Sequence, residues 1–129
     1  MNMTQSVQAT PGQAVAGILQ AIDQPARLEI LQVIGSGEAC VCHLEAALGQ
    51  RQAYISQHLM ALREAGIITS RRAGRYVFYR VKDGRILDLI GLAGSLAGVP
   101  LTALTAPNPV QECACPHCTG AVGINLKSE

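Results

Sequence analysis

The sequence predicts a mainly α-helical fold with one small β-hairpin, dimeric through its terminal helices. Apolar residues recur at helical spacing over most of the chain, glycines punctuate those stretches, and positions 76–81 switch to β-forming residues behind an Ala-Gly turn. Of the 129 residues, 49% are hydrophobic but only 3% aromatic, with no Trp. The core must therefore be Leu, Ile, Val and Ala, which suits packed helices. A chain of this length fits one domain, and a domain this small leaves much surface exposed, so pairing with a second copy would supplement its core.

The elements follow in order. Residues 1–12 read as a flexible N-terminal arm, 13–98 as the folded domain, and 99–129 as a linker marked by Pro100, Pro107 and Pro109 and then a cysteine-containing tail. Val15, Ile18, Leu19 and Ile22 are spaced i, i+3, i+4, i+7, which predicts a first amphipathic helix. Asp23 is placed to cap the next helix, with Pro25 in its first turn and Gly35-Ser36-Gly37 at its end. A short third helix is expected over 42–48, broken by Gly49, and a fourth over 51–65, with Ile55, Leu59 and Leu62 on one face and Gly66 as its stop. Helix, glycine-containing turn, helix is the helix-turn-helix layout. Tyr76, Val77, Phe78, Tyr79 and Val81 then form a hairpin with Ala73-Gly74 at its turn and Arg71, Arg72 and Arg75 about its tip. A basic hairpin behind such a helix makes a winged helix-turn-helix. A last helix from near Asp83 carries Ile86, Leu87, Leu89, Ile90, Leu92 and Leu96, more apolar surface than one small core covers, so it reads as a dimer helix. Burial within a single copy is the alternative.

The net charge of +1 hides an uneven distribution. Eight basic residues (Arg51, Arg63, Arg71, Arg72, Arg75, Arg80, Lys82 and Arg85) lie between positions 51 and 85 against only Glu64 and Asp83; the remainder carries two basic and seven acidic residues. An acidic body with one basic segment is the footprint of a polyanion partner, although a charge run can also be a solvated face. Gln52, Tyr54, Ser56, Gln57 and His58 occupy the first turns of the fourth helix. Gln bonds adenine edges in bidentate fashion, while Ser and Tyr mostly reach phosphates. For His58 a phosphate contact and a structural hydrogen bond are both open. Arg71, Arg72 and Arg75 suit phosphates or a minor groove. Double-stranded operator DNA is the expected partner.

Five cysteines fall in two clusters, Cys40 and Cys42 ahead of the helix-turn-helix, and Cys113, Cys115 and Cys118 in the tail. Thiolates select soft ions. The run Cys113-Ala114-Cys115-Pro116-His117-Cys118 has a Cys-x-x-Cys spacing suited to zinc, cadmium or lead, and three thiolates suit arsenite. His43 and His117 adjoin cysteines, but neighbouring sequence alone does not make them ligands. Residues i and i+2 of a regular helix point about 200° apart, so Cys40 and Cys42 can share an ion only if Cys40 sits at or before the helix start, or the helix unwinds. Whether the clusters form one site or two stays open, as does sharing across subunits.

The run Asp23-Gln24-Pro25-Ala26-Arg27-Leu28-Glu29-Ile30-Leu31 resembles the second-helix signature of the ArsR/SmtB family of metal-responsive repressors. The stretch from Ile55 through Ser56-Gln57-His58-Leu59 to Ile68 is similar to that family's recognition helix and exit, and Arg71-Arg72-Ala73-Gly74-Arg75-Tyr76-Val77-Phe78-Tyr79-Arg80 to its wing. The resemblance spans about positions 15–97 and implies a homodimeric repressor that leaves its operator when an inducer binds. Glu38-Ala39-Cys40-Val41-Cys42-His43-Leu44 resembles the Cys-Val-Cys stretch of the arsenic- and cadmium-sensing branches. Where the arsenic branch often adds a third cysteine this chain has Glu45, its N-terminal arm lacks the cadmium branch's thiols, and Asp83 and Asp88 lack the histidines of the zinc-sensing site.

These readings converge on a repressor releasing DNA when a thiophilic ion, arsenite first, binds cysteine thiolates; Cd(II), Pb(II) and Zn(II) are alternatives. A thiol redox or sulfide sensor on the same fold is a second reading, and a structural-zinc interaction module a third. No acid–base pair or nucleophilic triad argues for an enzyme. With no secretory signal and no long apolar run, a cytoplasmic, membrane-free location is expected, where clustered cysteines more often serve metal or redox chemistry than structural disulfides.

Overall fold

The computed structural model describes residues 9–99. Helix α1 spans Pro11–Ile22, α2 Pro25–Ile34, α3 Val41–Leu48, α4 Gln52–Glu64 and α5 Arg85–Ala97; strands β1, β2 and β3 span Ala39–Cys40, Ile68–Ala73 and Tyr76–Val81. The sheet is antiparallel in the order β1-β3-β2. This is the winged helix-turn-helix expected, with α4 in the recognition position and β2–β3 as the wing.

Local chemistry explains the boundaries. Helix α1 begins at Pro11, two residues inside the stretch expected to be an arm, because Thr10 and Gln13 form a reciprocal capping box: the Gln13 amide donates to Thr10 Oγ1 at 3.0 Å and the Thr10 amide to Gln13 Oε1 at 2.9 Å. Asp23 closes α1 rather than capping α2, whose N-cap is Gln24 with Pro25 in the first turn. Gly49 ends α3 at φ 67°, its amide bonding the Glu45 carbonyl, a left-handed turn that suits glycine. In the wing Ala73 pairs with Tyr76, so Gly74 and Arg75 form the two-residue turn. Strand β1 was not expected; two residues carry no periodic signal, and they are extended because β3 offers a free edge.

The core lies where α2, α3, α4 and the base of the sheet meet. Ile30, Leu31, Leu44, Ile55, Leu59, Leu62 and Ile68 are fully buried there, an aliphatic packing matching the aromatic-poor composition. Helix α5 contributes one fully buried residue, Ile90, while Leu92 and Leu96 stand 62% and 84% exposed. Val15, Ile18 and Leu19 on α1 are exposed as well. No helix among the described residues is long and apolar enough to cross a membrane.

Leu59→Ala is expected to cost about 2–5 kcal/mol of stability, whereas Met60→Ala on the exposed side of α4 should change it by less than about 0.5 kcal/mol. Urea unfolding of the two variants checks the orientation of α4; equal losses would refute it.

Candidate nucleic-acid interface and thiol site

Helix α4 turns Ile55, His58, Leu59 and Leu62 inward and leaves Gln52, Tyr54 and Gln57 exposed, with Ser56 half-buried. Its N-cap, Arg51, makes no side-chain capping bond. The first amides of α4 therefore keep donors without intrahelical partners, at the end of the helix dipole that favours anions.

Of the two roles open to His58, the structure shows a structural hydrogen bond. It is only 8% exposed, and its Nδ1 accepts a hydrogen bond from Arg27 Nε at 3.1 Å. Arginine has no acceptor, so Nδ1 is the unprotonated nitrogen and the ring is neutral with its proton on Nε2. Tyr54 meets the ring edge-on at 4.8 Å between centroids. Arg27 also donates from Nη1 to the Ala21 carbonyl at 3.1 Å. One guanidinium thus ties the end of α1, the start of α2 and the inner face of α4 together. Arg27 stood in the sequence as part of a helix signature, with nothing in its spacing to show a partner 31 residues away.

On the wing, Arg72 and Arg75 are exposed, with the Arg75 guanidinium 5.7 Å from the Tyr76 ring centre. Arg71 is engaged elsewhere. Its Nε and Nη2 donate to the two carboxylate oxygens of Glu38 at 2.7 and 2.8 Å, and its guanidinium carbon lies 4.9 Å from the Phe78 ring centre. The Glu38 hydrogen bonds push the Arg71 pKa further up.

Cys40 is both the last residue of β1 and the N-cap of α3, with extended backbone at φ −94° and ψ 169°. That satisfies the geometric condition set by i, i+2 spacing: the Sγ atoms of Cys40 and Cys42 lie 2.9 Å apart. Cys40 is 2% exposed, and Cys42 is disulfide-bonded. A cavity of about 500 Å³ opens beside them, lined among others by Gln52 and Ser56 of α4 and by Arg75 and Tyr79 of the wing region. Among the described residues, no group of three or more His, Cys, Asp or Glu converges to hold a metal ion. Cys113, Cys115, His117 and Cys118 lie outside the described residues.

With the Cys42 disulfide reduced, the two sulfurs fit a soft ion in kind. Their spacing fits less well: a tetrahedral ion with metal–sulfur bonds of about 2.3 Å holds its sulfurs about 3.8 Å apart. The pair must open by nearly 1 Å to hold such an ion, and further donors must come from elsewhere.

Residues 24–70 match the family model described as bacterial regulatory protein, arsR family. An HTH-type transcriptional regulator of Methanocaldococcus jannaschii is 38% identical over 82 residues, a match covering 63% of this chain and 92% of the relative. The chain belongs to the arsR family of bacterial regulatory proteins. The arsenic resistance transcriptional regulator ArsR1 of Pseudomonas putida is 43% identical over 84 residues, covering 59% of this chain and 65% of that protein; the chain thus spans just under two thirds of that relative's length. Among solved structures, the transcriptional repressor BigR from Xylella fastidiosa superposes with a TM-score of 0.62 at 32% identity, covering 66% of this chain and 87% of that one. These members of the arsR family and its fold neighbours are transcriptional regulators, not enzymes.

The His58 pKa is lowered from 6.5, first by burial and then by the charge of Arg27. The unfolded chain therefore binds this proton more readily than the folded one. The stability contributed by the neutral ring is complete above pH 6.5 and is lost as pH falls through the lower folded value. His58→Gln, which keeps an acceptor for Arg27 without titrating, is expected to have a melting temperature that falls less steeply with acidification than the wild type; parallel pH profiles would contradict the assignment.

Proposed function

We propose that this chain is a homodimeric, DNA-binding transcriptional repressor that releases its operator when thiol chemistry occurs at Cys40 and Cys42, with arsenite as the favoured inducer and Cys113, Cys115 or Cys118 supplying the remaining thiolates. The observation that carries this reading is the shared cavity: the sulfur pair opens onto the same space as Gln52 and Ser56 of α4 and Arg75 of the wing. Opening the sulfurs to hold an ion displaces the junction between β1 and α3, and α3 packs on α4. The arsenic-resistance relative supports the choice of ion. Gln52, Tyr54 and Gln57 would read or flank bases, and Arg72 and Arg75 would neutralise phosphates.

One observation favours a second reading. Cys42 is disulfide-bonded, and a disulfide formed without metal would make the same site a redox switch. The two are separated with a fluorescent duplex selected from a random pool by the reduced protein. Arsenite is expected to lower its affinity by at least about tenfold, as allosteric couplings commonly do, and Cys42→Ser should abolish the effect. Release by diamide alone would move the assignment to redox sensing. Indifference to arsenite, Cd(II), Pb(II), Zn(II) and diamide alike would sink both.

The homodimer rests on α1 and α5. Their exposed Val15, Ile18, Leu19, Leu92 and Leu96 border a groove of about 380 Å³ lined by Leu19, Ile22, Leu28, Ile90 and Ala93 among others. A two-fold axis would bury these faces on one another and align two recognition helices with two half-sites. Burying a leucine is worth about 1.5–3 kcal/mol, so Leu96→Glu should raise the dimer dissociation constant by at least about tenfold, read by sedimentation. An unchanged constant would remove α5 from the interface.

A further inference from the structure

The register of the sheet places the thiol site and the wing on one rung. Cys40 pairs with Phe78 across β1 and β3, and Phe78 pairs with Arg71 across β3 and β2. Directly paired residues project to the same face of a sheet. Cys40 and Phe78 accordingly form a small buried cluster of their own, packed by Cys42, Ala73 and Tyr76 and separate from the main core. The Arg71 guanidinium lies over Phe78 and closes back, in bidentate fashion, on Glu38, the residue directly before β1 and two before Cys40. The circuit Cys40, Phe78, Arg71, Glu38 returns to its start. Arg72, Gly74 and Arg75 follow directly along the chain from Arg71 to the wing tip.

We propose that the Glu38–Arg71 pair is a positioning device coupling the state of Cys40 and Cys42 to the wing, and that Arg71, despite its place in a basic run, is not a phosphate contact. The proposal rests on the thiol-gated reading above. A planar guanidinium forked onto a carboxylate has one geometry and resists sliding. When the sulfurs separate, β1 cannot shift against β3 without dragging Glu38, and Glu38 carries Arg71 and the wing with it. The pair adds to the two-residue ladder and the packing on Phe78 that join β1 to the hairpin.

The test uses the full chain and two readouts, duplex affinity and hydrogen exchange of wing amides 71–77, each with and without arsenite or diamide. In the wild type the reagent should lower affinity and change wing exchange together. Glu38→Gln should shrink the reagent-dependent ratio of affinities by about 2- to 30-fold, the range of coupling changes seen for residues between two sites, and uncouple wing exchange. The double swap Glu38→Arg with Arg71→Glu should restore much of both, which a merely destabilising change would not. If the wild type releases DNA but Glu38→Gln releases it equally, the inference is overturned and the thiol-gated reading stands. A salt slope about one unit shallower in Arg71→Gln, as for a lost phosphate contact, also overturns it. If no reagent affects the wild type, that reading fails and takes this inference with it.

Discussion

Much of the arrangement depends on the backbone at Cys40. A helix that began one turn earlier would point Cys40 and Cys42 to opposite sides, and no ion or sulfur chemistry could join them. Extending the chain at Cys40 does two things at once: it turns the first cysteine beside the second, and it offers Ala39 and Cys40 to the free edge of β3. Cys40 therefore belongs both to the thiol pair and to strand β1. The thiol site is bonded into the wing sheet on one side and caps the helix supporting the DNA reader on the other.

The opposite face of α4 is held by a different device. Arg27 reaches across from α2 to His58 and to the end of α1, so the recognition helix is clamped from behind by a neutral imidazole. Its front keeps an uncapped first turn. Rigid support behind and unsatisfied donors ahead suit a surface meant to meet an anionic partner. The helix resists rotation while its leading amides stay available.

The helices were legible in the sequence because their apolar spacing and glycine stops are local. The boundaries that moved did so through side-chain chemistry, as at Thr10 and Gln13, or through a one-residue change of cap, as at Gln24. The requirement that Cys40 precede the helix was also legible, since it follows from helical rotation alone. What sequence reasoning could not see were pairings across the fold: the two-residue strand β1, Arg27 with His58, and Glu38 with Arg71, the last 33 positions apart. Residue type and position suit both Arg71 and His58 to DNA contacts. His58 is buried against Arg27, and Glu38, directly before β1, engages Arg71.

The scarcity of aromatic residues has a practical consequence. With no Trp in the chain, its three tyrosines supply the near-ultraviolet emission, and all sit in the working half of the molecule: Tyr54 on the recognition helix against His58, Tyr76 beside Arg75 at the wing, and Tyr79 lining the cavity next to the cysteines. The α1 and α5 faces contribute none. The protein carries its own optical label, blind to association through the terminal helices and sensitive to changes where thiol site, reading helix and wing come together.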